Sequence, residues 1–544
     1  MYESKNLDHL GLVAGMCDEL GLVSLIDSLV PSDSNERKIS TGVCVKALIL
    51  NGLGFVGRRL YLVSDFFSDK PVEHLLGEGI TSDLLNDDRL GRCLDDLYHF
   101  GLSELFSLIA AQAYRRLGLA SHPQFAHTDS TSFHVDGAYN SESYQEGDAC
   151  IHITQGYSRD HRPDLNQVCL NLIVENSAGI PLFMETLSGN SSDKQSLAKS
   201  IESFTKSLQS APNPLCWVAD SALYSAENIQ SLSQTGLWLT RVPETISEVK
   251  YLKEAVELSQ MQHFDEKDLA DYRYQVVGST YGGARQEWLL IFSQNAYERE
   301  AQSLAKNFAK ASLAESKAIE QCCKQTFACK QDAQNALTKL EKQCQSIQLH
   351  DTKIQAIEGY ASKGKPKPNE AKVIKGYQIQ LAYSCPITPY KQKKRTLGFF
   401  VLASNEVEGK LSPDQKLSAY KDQNKVEKGF RFLKDPEFHA ATIFVKKPQR
   451  VEAVLMLMTL CLLVYAALER QLRQALQLQN QTLPNQNKKE VQNPTMKWVF
   501  MLMRGIHCLY LPTQKELVLL NINAIHLKII ALFSNHIAKY YKLE

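Results

Sequence analysis

Through the first 120 residues, apolar positions recur at helical spacing. LDHLGLVAGMCDELGLVSLIDSLV has this pattern, Ser40 and Thr41 are placed to cap a helix through VCVKALILNGL, and LGRCLDDLYHFGLSELFSLIAAQAYRRLG carries a third helical stretch. The pattern predicts a helical N-terminal domain over 1–122. At Pro123 the character changes. FAHTDSTSFHVDG is β-rich, and QVCLNLIVENSAGIPLFMETLSG reads as two strands around a Ser-Ala-Gly turn. A helix fits Asp193 to Gln209, LCWVADS is a short buried strand, AENIQSLSQTG is a helix closed by Gly236, and LWLTRVP is a further strand. The order β-β-β-α-β-α-β predicts a mixed sheet with helices packed on it.

The pattern breaks over 244–397. Strands (DYRYQVVGSTYGG, QEWLLIFSQ, YQIQLAYS) mix there with a long polar helical stretch from about Tyr297 to Gln348, best read as a solvated helical hairpin. SKGKPKPNEAK is a Pro/Lys-rich loop. TLGFFVLAS then returns to strand character, and LSPDQKLSAYKDQNKVEKGFRFLKD reads as one helix with Ser412 as cap and Pro413 in its first turn. The reading is α/β: a first part of a core over 123–243, an insertion with strands and a helical hairpin over 244–397, and a second part of the core with a helical C-terminal region over 398–544.

Composition narrows this picture. Of 544 residues, 44% are hydrophobic and 22% charged, ordinary for a globular protein with a sizeable core. Cys322, Cys323, Cys329 and Cys344 match no zinc-ligand spacing, and reduced cytosolic cysteines are the better reading. No basic segment followed by an apolar run opens the chain, so no signal peptide is expected. AVLMLMTLCLLVYAAL, Ala453 to Leu468, is short for a bilayer and closely bounded by Glu452, Glu469 and Arg470; a helix buried on all sides explains it. A cytoplasmic protein without a membrane partner is expected. Sixty basic residues balance sixty acidic ones, which argues against a protein that coats DNA. Charge is unevenly spread: residues 1–120 hold 11 Lys/Arg against 17 Asp/Glu, whereas 361–395 hold nine against one. Contact with nucleic acid would be local, and Lys391, Lys393, Lys394 and Arg395 form a cluster able to grip a DNA backbone or simply lie in a solvated loop.

Three acids stand out. Asp129 sits in the strand-like FAHTDSTSF, Asp220 ends the apolar strand LCWVAD, and Glu427 lies mid-helix in KVEKGFRFLK. Hard divalent cations take oxygen ligands, and carboxylates from a sheet and a neighbouring helix suit a pair of Mg²⁺ ions, with Mn²⁺ as a substitute. The bland alternative is that a strand-end Asp caps a helix and a mid-helix Glu is a solvated charge. Trp217, in the strand before Asp220, reads as core.

The segments HTDST, VADSALYS and YKDQNKVEKGFRFLK resemble the three catalytic blocks of DDE-type bacterial insertion-sequence transposases. The third is similar to the Tyr-x2-Arg-x3-Glu-x6-Lys signature of the insertion-sequence-four superfamily, in a register that gives Tyr420, Gln423, Glu427 and Lys434. GYSRDHRPDLNQ, LSGNSSD and NPTMKWVF also resemble family blocks, so the likeness covers most of the chain. It implies a ribonuclease-H-like catalytic core and an enzyme that cleaves insertion-sequence ends and joins them to target DNA. The ligands of two Mg²⁺ ions would be Asp129, Asp220 and Glu427, and a homodimer would bind double-stranded terminal inverted repeats. The group resembled also forms a hairpin at the element end. Tyr420, Gln423, Arg431 and Lys434, with Arg159, His161 and Arg162 of GYSRDHRPD, would contact DNA. The departure is Gln423, which stands where the signature has Arg and brings no charge to a phosphate. On a helical wheel that sets Tyr420 at 0°, Gln423, Glu427 and Lys434 fall within roughly 60° of it and Arg431 borders the stripe, where its charge stands in for the missing one. Val426, Gly429, Phe430 and Leu433 form the expected buried face. The rival readings are a metal-dependent nuclease of the same fold without strand transfer, and an inactive DNA-binding derivative.

Overall fold

A computed structural model describes residues 3–30, 38–54, 62–119, 125–135, 139, 150–157, 162–207, 216–361, 371–435, 445, 447–511 and 516–541. It resolves into two compact units, one of Met1–Arg241, Gly278–Glu287 and Ala403–Glu544, the other of Val242–Val277 and Trp288–Leu402. The change of character at Pro123 and most of the loop SKGKPKPNEAK lie outside the described residues.

The first unit is built on a sheet. Its elements are β1 (Phe125–His134), β2 (Gln167–Glu175), β3 (Pro181–Ser188), α1 (Asp193–Ser207), β4 (Cys216–Ala219), α2 (Ala226–Thr235), β5 (Leu237–Arg241), α3 (Pro413–Lys421), α4 (Asn424–Leu433) and α5 (Pro448–Leu478). Across the sheet the strands run β3-β2-β1-β4-β5. β2 is antiparallel to β1 and to β3, while β4 and β5 are parallel to β1. The β2–β3 hairpin is closed at Glu175, whose carboxylate accepts the backbone N–H groups of Ser177, Ala178 and Ile180. The turn needs Gly179, at φ 72°.

Side-chain alternation assigns the two faces. Asn171, opposite Ser130, donates to Ser200 of α1. Trp217, opposite Ala126, lies 5.9 Å from the Phe204 ring of α1 and is the core residue its strand predicts. α3 and α4 serve the other face: α3 packs on β4 and β5, and α4 on β1 and β2. The expected single helix is in fact two. Its cap is as predicted, with Ser412 and Gln415 forming a capping box. At Asp422 and Gln423, however, the backbone tightens into i→i+3 hydrogen bonds (Gln423 N–H to Tyr420 O, Val426 N–H to Gln423 O) before α4 begins.

Behind these helices runs α5, which spans the apolar stretch around Ala453–Leu468. It is long and apolar enough to cross a membrane, and 89% of its apolar window is buried within the protein. α5 forms one core with the N-terminal helices. Arg450 near its start clamps Asp95 through two hydrogen bonds of 2.8 and 2.7 Å. Two stretches read as continuous are split by glycine. Leu10–Glu19 and Leu22–Leu29 are divided by Gly21, at φ 64°, and Asp87–Phe100 and Leu102–Arg116 by Gly101, at φ 105°. Ser40 caps Thr41–Gly52 as expected. A strand that the sequence pattern missed, Glu3–Asn6, pairs with His507–Leu511.

The strands Phe399–Ser404, Gln286–Ser293, Tyr272–Ser279 and Gln262–His263, most of whose residues belong to the second unit, lie side by side in that order. The polar stretch forms two helices, Gln294–Lys324 and Lys330–Gln343, followed by a ribbon of Gln348–Gly359 and Val373–Ser384. Cys322, Cys323 and Cys344 pack there against a small core of Ile319, Leu340 and Ile347. The basic cluster at 391–395 is not loop but the end of a helix, Thr388–Arg395, and Lys394 lies 5.9 Å from the ring centroid of Tyr297.

The α5 core can be tested at two residues. Leu460 is fully buried in α5, so Leu460→Ala should cost about 2–5 kcal/mol, read as a lowered urea midpoint with unchanged slope. His9 stacks on Phe500 at 4.4 Å and its Nε2 donates to Leu53 O at 2.8 Å. Burial lowers its pKa from 6.5 to about 4, so below pH 6.5 the unfolded chain takes up a proton that the folded chain refuses. This stability is present above pH 6.5 and is lost as pH falls towards 4, with a slope of at most about 1.4 kcal/mol per pH unit. Stability curves of His9→Asn should lack that component.

Candidate active site

β1 is buried along its whole length except His134, yet it reads FAHTDSTSFH, whereas its equally buried neighbour β2 reads QVCLNLIVE. A polar strand at the centre of a sheet costs stability. Both ring nitrogens of His127, Thr128 Oγ1 and Ser132 Oγ have no hydrogen-bond partner among the described residues, at roughly 1–3 kcal/mol for each such group. Burial depresses the His127 pKa to about 4, so its ring is neutral at neutral pH.

Strand register brings the first two acids together. Thr128 of β1 is level with Ala219 of β4, so Asp129, midway along β1, and Asp220, just past the end of β4, come level where the pairing of the two strands ends. Neighbouring strands are about 4.8 Å apart, and level residues on parallel strands share a face. The row extends to a third strand. Ala219 is level with Thr240 of β5, so Asp220 is level with Arg241, and Thr240 Oγ1 donates to Asp220 O at 2.7 Å. Asp129 is 9% exposed and one of its oxygens accepts the Ser130 N–H at 2.8 Å. Asp220 is half-buried and caps the turn Ser221–Leu223 by accepting the Ala222 N–H at 2.9 Å. The capping role that competed with a metal role for this residue is therefore real.

The helix pair supplies the rest. α3 is pinned by Lys416, a buried cation 2.8 Å from Glu287 and 3.4 Å from Glu406. At its end stands Tyr420. Burial raises the Tyr420 pKa; Arg241, which hydrogen-bonds it, opposes the rise, while the negative charges of Asp220 and Glu427 add to it. Tyr420 thus lies within electrostatic reach of both acids. The course of α4 fixes Asp129 on the same side. Asp422 and Lys425 act electrostatically on His127, and Lys434 lies 5.7 Å from the Phe133 ring centroid. α4 therefore runs along β1 from His127 to Phe133 on the face that also carries Asp129, with Glu427 exposed in its first turn.

The structure thus sets Asp129 and Asp220 level on one face of the sheet, the face covered by α3 and α4, with Tyr420 within electrostatic reach of Asp220 and Glu427. Val426, Gly429, Phe430 and Leu433 are buried, as their periodicity predicts. The break at Asp422 and Gln423 removes the basis for a single stripe from Tyr420 to Lys434. Gln423 is buried, with its Oε1 unpartnered among the described residues, while Arg431 is exposed. Arg162 is exposed and paired with Asp164 at 2.8 Å. Arg159 and His161 lie outside the described residues. Their block nevertheless meets LSGNSSD: Gln167 Nε2 donates to Gly189 O at 2.7 Å and to Tyr157 O at 3.2 Å. A Cβ on Gly156 would fall 2.1 Å from Gly189 O, so this crossing requires glycine. Sequence reasoning missed Arg241, although a signal existed. CWVAD and LWLTR align as parallel strands with Trp217 opposite Trp238, which puts Arg241 in register with Asp220.

Among the described residues, no three His, Cys, Asp or Glu side chains already stand at ion-binding spacing. Each of the two aspartates has an oxygen turned to a nearby backbone N–H, Asp129 to that of Ser130 and Asp220 to that of Ala222. As a donor set, two level aspartates and a glutamate from the adjoining helix are all oxygen and suit a hard divalent cation better than zinc.

Residues 2–111 match a family model described as a domain of unknown function, DUF4277. A search among curated proteins finds no match. Among solved structures, the chain is similar to one described as a cryo-EM structure of piggyBac transposase synaptic complex with hairpin DNA. That match has a TM-score of 0.37 and 8% identity, and covers 100% of this chain and 84% of the other. A likeness so distant bears on neither the site nor its chemistry.

If the acids share a cation, millimolar Mn²⁺ should raise the melting temperature of the wild type and have no such effect on Asp129→Asn or Asp220→Asn. The stabilisation would be about 2.7 kcal/mol at a hundredfold excess over Kd. Equal shifts in all three proteins would remove both aspartates from ion binding.

Proposed function

We propose that this chain is a DDE-type DNA transposase with a ribonuclease-H-like core, similar to the insertion-sequence-four superfamily. The observation that carries the reading is the level pair Asp129 and Asp220 on adjacent parallel strands, with Glu427 offered by a helix along the same face. These are the acids of the three blocks that resemble the family. The strand order β3-β2-β1-β4-β5, with β2 antiparallel to both neighbours, supports the ribonuclease-H-like assignment.

On this reading Asp129, Asp220 and Glu427 would hold two Mg²⁺ ions, or Mn²⁺ in their place. When bound, such ions activate an attacking oxygen and stabilise a leaving one in phosphodiester displacement. The protein's own part is positional. The buried β1–β4 pairing holds two ligands at one level, α4 supplies the third, and Arg241 gives Tyr420 a cationic partner beside them. The nucleophile is water in end cleavage and the freed 3′-hydroxyl in joining. Substrates would be the terminal inverted repeats of the element and the target DNA, with the protein acting as a homodimer. The hairpin step rests on the resemblance alone. The DNA contacts are assigned to Tyr420, Arg431 and Lys434, with Arg159, His161 and Arg162 from the neighbouring block. Burial of Gln423 argues against a direct phosphate contact there, which leaves Arg431 as the exposed cation one turn from Glu427.

Asp129→Asn, Asp220→Asn and Glu427→Gln should each abolish Mg²⁺-dependent nicking of DNA carrying the element ends while leaving end binding within about threefold, a change below 1 kcal/mol. Normal nicking by any of the three would exclude that residue. A wild type that nicks but yields no joined products would be a nuclease rather than a transposase.

A further inference from the structure

α4 and α5 enclose a cleft of about 720 Å³. Lys425, Lys428 and Arg431 line it from α4, Arg470 and Arg473 from α5, and Lys497 from the helix Met496–Leu502. Two acids, Asp435 and Glu469, line it as well. Each acid is already engaged, Asp435 with Lys497 and Glu469 with Arg473, both at 2.8 Å. Lys425 is held by Asp422 at 3.0 Å. Among the described residues, Arg470 donates only to a backbone carbonyl, Leu117 O, at 3.1 Å. Lys428 and Arg431 are exposed and have no partner among the described residues. The cleft therefore carries a surplus of positive charge that no carboxylate in it balances.

We propose that this cleft binds the phosphate backbone of DNA, through cations that lie mostly outside the signature positions. The choice of DNA over another polyanion rests on the transposase reading; the anion preference rests on the cleft itself. Spacing favours a repeating anion over one phosphate. Lys425 and Arg431 are six residues apart on α4, about 9 Å along its axis, and a second line of charge comes from α5. DNA offers a phosphate for roughly every 3.4 Å of each strand's rise, so one strand can meet several of these cations in turn. Position favours the strand being cut. Arg431 follows Glu427 by four residues, about 6 Å along α4 and some 40° around it, so a backbone lying in the cleft leads directly to the candidate acids.

The test is anisotropy of a labelled short DNA duplex of arbitrary sequence, titrated with the full chain at several salt concentrations. Lys428→Ala/Arg470→Ala should bind at least tenfold more weakly at physiological salt, with a log–log salt slope shallower by up to about 0.9 for each phosphate no longer neutralised. The charge-preserving Lys428→Arg/Arg470→Lys should stay near the wild type. Unchanged affinity and slope in the alanine variant would overturn the proposal. So would displacement of the duplex from the wild type, but not from the alanine variant, by a polyglutamate peptide as effectively as by unlabelled DNA, which would mark an acidic protein segment as the occupant. The outcome separates from that of the active-site reading. If no protein nicks DNA but the alanine variant loses binding, the transposase reading fails and the cleft stands; if nicking depends on Asp220 but the slope is unchanged, the reverse holds.

Discussion

The parallel pairing of β1 with β4 is the constraint on which the candidate site depends. It sets Asp129, midway along β1, level with Asp220 at the end of β4, and the same register carried into β5 adds Arg241 to the row. Two carboxylates held one strand spacing apart repel, and a central strand of Thr, Ser, His and Asp forgoes apolar burial that β2 obtains over most of its length. Such an arrangement persists only if the surrounding structure over-determines it. α1 closes one face through Phe204 and Trp217, α3 and α4 close the other, and α5 ties that second layer to the N-terminal helices.

The break between α3 and α4 follows from the same geometry. One straight helix could not pack on β4 and β5 at its start and on β1 and β2 at its end while keeping Tyr420 bonded to Arg241 and Glu427 within electrostatic reach of Tyr420. Two tightened turns at Asp422 and Gln423 allow both. Gln423 stands at this junction and is buried, and an unpaired arginine there would carry a heavy desolvation cost.

Much of this was legible in the sequence. The alternation of apolar runs with turns predicted the elements from β1 to β5 in order, because strands buried on both faces and helices with one apolar face leave distinct periods. The position of Asp220 at the end of CWVA and the flanks of Asp129 marked two of the three acids. What the sequence did not reveal depends on tertiary context. Gly21 and Gly101 end helices through positive φ, which periodicity alone does not register. The strand Glu3–Asn6 is defined only by a partner some 500 residues away. Arg241 acquires its place from strand register, which is a property of the sheet and not of LWLTR taken alone. The wheel drawn through Tyr420 and Lys434 failed because two αR residues with i→i+3 bonds are invisible to a count of about 100° per residue.

The central claim is that Asp129 and Asp220 face a common ion. Anomalous diffraction from crystals soaked in Mn²⁺ tests it most directly. The account predicts a strong peak within coordination distance of both aspartates, about 2.0–2.2 Å from carboxylate oxygens, with Glu427 turned towards it or towards a second peak beside it. Peaks confined to other acids, with Asp129 and Asp220 still bonded to the N–H groups of Ser130 and Ala222, would contradict it.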